Sequence, residues 1–138
     1  MTRKPILCLD FDGVLHSYIS GWKGADVIPD PPVPGTFNFL FEAITHFRVA
    51  IFSSRSGQQG GKAAMQNYLR HHAHLFWEID QRATWAEADR MSRRLLDALE
   101  FPDNKPPALV TIDDRAITFT GEFPSIETLQ SFKPWNKR

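Results

Sequence analysis

Short apolar runs that end on polar residues alternate along this chain with stretches of helical periodicity. Residues 6–9, "ILCL", form an unbroken apolar run that stops at Asp10, the pattern of a buried strand. Residues 48–52, "RVAIF", repeat it and stop at Ser53, and residues 108–112 repeat it again and stop at Asp113. Two further apolar segments, 75–79 and 117–119, fit short strands. Between these runs the period changes. Phe37, Leu40, Phe41, Ile44 and Phe47 follow helix spacing after Gly35-Thr36. Met65, Tyr68 and Leu69 line one face of a helix over 62–72, and Ala88, Met91, Leu95 and Leu99 line one side of another over 85–99. Ser125 is a good N-cap for a short last helix through Phe132. Residues 16–35 break every period. They hold Gly21, Gly24, Pro29, Pro31, Pro32, Pro34 and Gly35 and predict a loop or flap, with room for a short hairpin.

Strands alternating with helices predict a single α/β domain over residues 1–138. Its expected form is Rossmann-like, a three-layer α/β/α arrangement around a central parallel sheet of about five strands. In such sheets functional residues gather at the strand C-terminal ends. Charge narrows the partners. Lys plus Arg and Asp plus Glu both number 16, so no net field draws the chain to nucleic acid or anionic lipid. Cys8 is the single cysteine; it excludes a disulfide within the chain and reads as a small buried hydrophobe. No run approaches the length of a membrane span, and the N-terminal apolar stretch is too short for a secretory signal. The expected location is therefore the cytoplasm.

The strand ends carry the candidate chemistry. Parallel strands bring Asp10, Ser53 and Asp113 toward one crevice, with Asp12 and Asp114 close by. Carboxylates a few ångström apart repel and raise one another's pKa. A divalent cation removes that conflict, and all-oxygen ligands suit Mg²⁺, which keeps waters and accepts a substrate phosphate. The chain also supplies partners for phosphate. Ser53 and Ser54 carry hydroxyl donors, and the backbone N–H groups around Asp12-Gly13 allow close approach. Lys105, in the loop before the strand ending at Asp113, can offset negative charge. Arg55 fits either a bidentate substrate contact or a surface salt bridge.

These residues carry a resemblance. "ILCLDFDGVL" resembles the first motif of the haloacid dehalogenase superfamily of phosphohydrolases, an apolar strand followed by Asp-x-Asp-Gly-Val. "VAIFSS" resembles the second motif, and "NKPPALVTIDD" the third and fourth together, a Lys and then a strand ending in Asp-Asp. The motifs come in the family's order and span most of the chain, residues 6–114. The resemblance implies the strand order 5-4-1-2-3. It implies a Mg²⁺-dependent phosphomonoester hydrolase with Asp10 as the nucleophile that forms an aspartyl-phosphate. Asp12 would be the general acid and then the base. The metal would be held by the Asp10 carboxylate, the Asp12 backbone carbonyl and the last acid pair, with Asp114 as direct ligand and Asp113 acting through water. Ser53 and Lys105 would hold the transferring phosphoryl group. "SSRS" and "DDR" are also similar to polynucleotide-kinase 3′-phosphatase domains.

The chain departs from the family in having no room for a large cap domain: the first gap is the flap at about 16–35, and the second is filled by crossover structure. The resemblance is to a capless member with an open site, acting as a monomer or small homo-oligomer on a phosphorylated substrate. Three alternatives stand beside it: a polynucleotide or nucleotide phosphatase, which the neutral charge disfavours; a phosphotransferase of the same superfamily; and a non-catalytic module that keeps the acidic pocket. His71, His72 and His74 fit a solvated helix end better than a zinc site. Trp22, His16 and Tyr18 fit either substrate contact or loop packing.

Overall fold

A computed structural model describes residues 3–138. Four strands form one parallel sheet: β1 (Ile6–Leu9), β2 (Arg48–Ile51), β3 (Leu99–Glu100) and β4 (Val110–Ile112), in the spatial order β3-β2-β1-β4. β1 is central, and the register sets Leu9 beside Ile51 on one side and Ile112 on the other. Leu7, Leu9, Val49, Ile51 and Leu99 point to one face. There they join Phe37 and Leu40 of α1 (Thr36–His46), Met65 and Leu69 of α2 (Gly61–Leu75) and Leu95 of α3 (Trp85–Ala98) in one core. Thr84 caps α3 by accepting the Glu87 backbone N–H, which fixes where that helix starts.

The sheet has four strands and not the expected five, so the order 5-4-1-2-3 is not matched in full; the four run 4-1-2-3. Residues 75–79 are not a strand: Leu75 ends α2 and the chain continues as a π-helical turn, Phe76–Asp80. A five-residue apolar run has no period of its own, and here the preceding helix extends through it. The Phe76 ring packs on Phe37 and Phe41 of α1, with centroids 5.9 and 6.3 Å away. Residues 117–119 add no outer strand either. The chain bends at Asp114-Arg115 after a three-residue edge strand, and Ile117 and Phe119 lie exposed. The final helix, α4 (Ile126–Gln130), forms where expected, with Ser125 accepting the Thr128 N–H at 3.1 Å.

The expected three layers are also reduced. Between β3 and β4 the chain returns across the sheet without a helix, through residues 101–109. Cys8 and Ala50 point away from the helical core yet are buried, and the charge of Lys105, in that returning segment, acts on Cys8. The flap is ordered. The Ser17 N–H donates to Pro31 O at 3.0 Å and the Val33 N–H to Leu15 O at 2.8 Å, closing the short hairpin across 16–35. No helix among the described residues is long and apolar enough to cross a membrane.

Candidate active site

Register brings Asp10 and Asp113 together. Leu9 pairs with Ile112, so the next residues, Asp10 and Asp113, leave adjacent strands side by side. The Asp10 N–H extends the ladder to Ile112 O at 3.0 Å. One carboxylate oxygen from each of Asp10, Asp113 and Asp114 lies within 4.8 Å of the others. Burial pushes the Asp10 carboxyl up to about 8, the Phe11 N–H opposes that, and Asp113 and Asp114 add to it. Burial raises Asp114 as well. Asp114 Oδ1 is buried with no hydrogen-bond donor. Hard oxygen ligands, mutual repulsion and an orphaned buried oxygen are what a divalent cation satisfies, so these three residues fit Mg²⁺.

Gly13 makes this proximity possible. Its φ is 82°, and a Cβ there would lie 2.2 Å from Asp114 Oδ2. The loop after β1 therefore touches the acid after β4 backbone to side chain. Gly13→Ala is expected to destabilise the protein by about 1–3 kcal/mol from the left-handed backbone alone. It should also displace Asp114, weakening Mg²⁺ protection in thermal melts; a variant with wild-type melting and wild-type Mg²⁺ response would contradict this contact.

Asp12 faces another way and its carboxylate is not in the acid cluster. His16 Nε2 accepts the Asp30 backbone N–H at 3.1 Å, so the ring carries its proton on Nδ1 and donates it to Asp12 Oδ1 at 2.9 Å. Arg55 Nε reaches Asp12 Oδ2 at 2.9 Å, and its Nη2 reaches Oδ1 at 3.1 Å. Burial works to raise Asp12, but the bonds from His16 and Arg55 outweigh it and hold the carboxyl below its ordinary value.

Arg55 is thus neither an exposed phosphate contact nor a surface salt bridge. It is 0% exposed. Its Nη1 donates to the flap carbonyls of Gly24, Ala25 and Val27 at 2.9, 2.8 and 3.1 Å. Its guanidinium lies 4.8 Å from the centroid of Trp22, which anchors that ring in the flap. Gly61 permits the packing, since a Cβ there would meet the Arg55 carbonyl oxygen at 1.9 Å.

Ser53 lies two residues beyond β2, one past the residue level with Asp10, and is buried. Its Oγ accepts the Arg55 N–H at 3.2 Å, which leaves the hydroxyl proton free to donate. Ser54 is exposed in the turn that follows. Lys105 is exposed and its charge acts on Cys8; the cation whose charge acts on Asp114 is Arg115. Trp135 reaches the site from the far end of the chain. Its indole N–H donates to Gly13 O at 2.7 Å across 122 residues of chain. No local spacing announces such a contact.

The fold and site together define a small parallel α/β domain with an acidic cluster at the C-terminal ends of β1 and β4. Comparison with known proteins finds no family model, no curated protein and no solved structure that matches the chain.

Proposed function

We propose that this protein is a small haloacid-dehalogenase-like phosphatase: a Mg²⁺-dependent phosphomonoester hydrolase that works through an aspartyl-phosphate on Asp10. The observation that carries the reading is the clustering of Asp10, Asp113 and Asp114 within 4.8 Å, with Asp10 pushed up to about 8. Asp10, Asp114 and the Asp12 carbonyl would hold the cation, with Asp113 behind them. When bound, it would neutralise these acids and screen the phosphate from them.

Ionised Asp10 attacks phosphorus; an Asp10 Oδ–P bond forms as the bond from phosphorus to the leaving oxygen breaks, and Asp12 in its protonated form gives that oxygen its proton. Water then attacks the same phosphorus, gives its proton to Asp12, and releases inorganic phosphate with Asp10 restored. Ser53 donates its hydroxyl to a phosphoryl oxygen. Lys105, Arg115 and the cation would together offset the negative charge of the acids and the phosphate. Nucleotide phosphatase and phosphotransferase activities use the same steps with another leaving group or acceptor.

The clamp on Asp12 favours one second reading. A carboxyl held below its ordinary value is a poor acid at neutral pH, although it serves as a base. Phosphoryl uptake would then depend on leaving groups that need no proton. At the limit the chain is an acidic-pocket module that accepts a phosphoryl group and releases it slowly. A series of aryl phosphates separates the two. A functioning acid predicts turnover in Mg²⁺ that varies little with leaving-group pKa; an acceptor module predicts a steep dependence and one phosphoryl group taken up per chain. No reaction with any member, with or without Mg²⁺, would remove both readings.

A further inference from the structure

We propose that Tyr18 is a substrate-positioning residue on the leaving-group side of the crevice, held there by a strap formed from the C-terminal tail, residues 134–137. The inference rests on the phosphatase reading, and the strap does in this small chain part of what a cap domain would do.

Tyr18 stands in a left-handed backbone conformation, φ 59°, which a bulky aromatic residue rarely adopts. Such strain persists only where the surroundings over-determine it, and it concentrates at functional sites. The surroundings here are specific. The strap bonds the carbonyls on both sides of Tyr18: Asn136 Nδ2 donates to Ser17 O at 3.1 Å, and Lys137 Nζ to Ile19 O at 3.5 Å. One residue earlier Trp135 holds Gly13 O at 2.7 Å, so the same strap grips the loop that touches Asp114. Pro134 is buried, and a 3₁₀ turn, Trp135–Lys137, sets the spacing of the three donors. From the flap side the Ser17 N–H binds Pro31 O at 3.0 Å, and Ser20 binds Asp30 through N–H and hydroxyl at 2.7 and 2.6 Å.

The strap is not explained by stability. Its seam buries Ser17 Oγ and Asn136 Oδ1 without hydrogen-bond partners, an arrangement that costs stability. It orders Tyr18 instead. The Tyr18 ring stands edge-on to His16 at 5.9 Å, above the residue that holds Asp12. His16 in turn reaches Asp12 at 2.9 Å, so the Tyr18 ring stands next to the group that holds Asp12; burial raises the Tyr18 hydroxyl, and the charges of Asp12, Arg55, Arg115 and Asp114 act on it as well. Among the described residues that hydroxyl has no hydrogen-bond partner, so a donor stands unspent at the crevice. Asp12 marks the side where the leaving group departs, and a phenol O–H there can hold the bridging oxygen as it takes on charge.

The test is steady-state kinetics on the full chain with p-nitrophenyl phosphate and Mg²⁺. Tyr18→Phe is expected to lower kcat about 10-fold with KM nearly unchanged, one hydrogen bond's worth of transition-state stabilisation. Removal of residues 134–138, or the milder Asn136→Ala, should lower kcat toward the same level. Adding Tyr18→Phe in either background should then cost little more, because both act through one hydroxyl. Tyr18→Gly relieves the backbone strain and should melt no lower than wild type while losing the same turnover. Wild-type kcat in Tyr18→Phe, or losses that simply multiply, would overturn the proposal. An Asp10→Asn variant run alongside separates the two levels: if it is inert and Tyr18→Phe is fully active, only the role of Tyr18 falls; if Asp10→Asn itself turns over, the phosphatase reading falls first.

Discussion

Asp10→Asn is expected to abolish Mg²⁺-dependent hydrolysis of p-nitrophenyl phosphate, by about 10⁴-fold or more, while making the metal-free protein more stable. The first effect follows from the proposed role of Asp10 as covalent nucleophile, whose loss cannot be shared out among the remaining groups. The second follows from linkage. The Asp10 carboxyl is raised from its ordinary value of 3.8 to about 8 by burial and by Asp113 and Asp114. Below pH 3.8 it is protonated folded or unfolded and contributes nothing; as pH rises toward about 8 the unfolded chain ionises while the folded chain resists, and stability falls. Asn mimics the neutral form and escapes that loss. In chelator at pH 8 the variant should melt higher by about 3 °C or more, the equivalent of roughly 1 kcal/mol. Mg²⁺ should raise the melting temperature of the wild type and do much less for the variant. Thermal melts from pH 4 to pH 9, with and without Mg²⁺, check all of this. A variant less stable than wild type in chelator at pH 8 would show that the acid cluster carries no strain.

Arg55→Ala is expected to give the largest loss of stability from one substitution, about 3–5 kcal/mol, a fall in melting temperature of roughly 10 °C or more. Removal of the guanidinium strands the Asp12 carboxylate, 12% exposed, and frees the three flap carbonyls of Gly24, Ala25 and Val27 from their shared donor. Arg55→Lys keeps the charge but cannot fork between Asp12 and the carbonyls, so it should recover only part of the loss. The sign of the pH dependence is opposite to that of Asp10. The Asp12 carboxyl is held below 3.8, so the pair's stabilisation is present above that pH and is lost as pH falls through the depressed folded value. The gap between wild type and Arg55→Ala should therefore narrow in strong acid. Chemical unfolding at pH 7 and at pH 3 measures it; a loss of less than about 1 kcal/mol at pH 7 would mean that Arg55 is a replaceable surface group.

Asp10, Asp113 and Asp114 were legible in the sequence because strand ends in a parallel sheet are set by short apolar runs, and two such runs stop at these acids. The Leu9–Ile112 register then sets Asp10 beside Asp113, and Gly13 makes the room for Asp114. Arg55 was misread for a definable reason: its partners, Asp12 and the carbonyls at 24, 25 and 27, are 28 to 43 residues away, and no pattern distinguishes a buried arginine from an exposed one. Lys105 matches a motif by spacing and lies exposed in a Pro-rich segment without a helix. Residues 75–79 and 117–119 have the composition of strands, but a strand also needs a neighbour. Phe76 found α1 instead, and the chain bends away before Ile117. The strap at 134–137 is not legible in the sequence because it acts through backbone carbonyls of the N-terminal loop, which leave no trace in side-chain periodicity.

The covalent step on Asp10 is the central claim, and it is tested most directly by trapping it. Asp12→Asn should still take the phosphoryl group from p-nitrophenyl phosphate in Mg²⁺ but release it slowly, since the base that activates water is gone. Acid quenching followed by mass spectrometry of the digested chain is predicted to show one added phosphoryl group, on the peptide that contains Asp10, lost on treatment with hydroxylamine and absent when Asp10 is also Asn. Phosphate release by the wild type together with no phosphoryl group on Asp10, or with the group on another residue, would contradict the account.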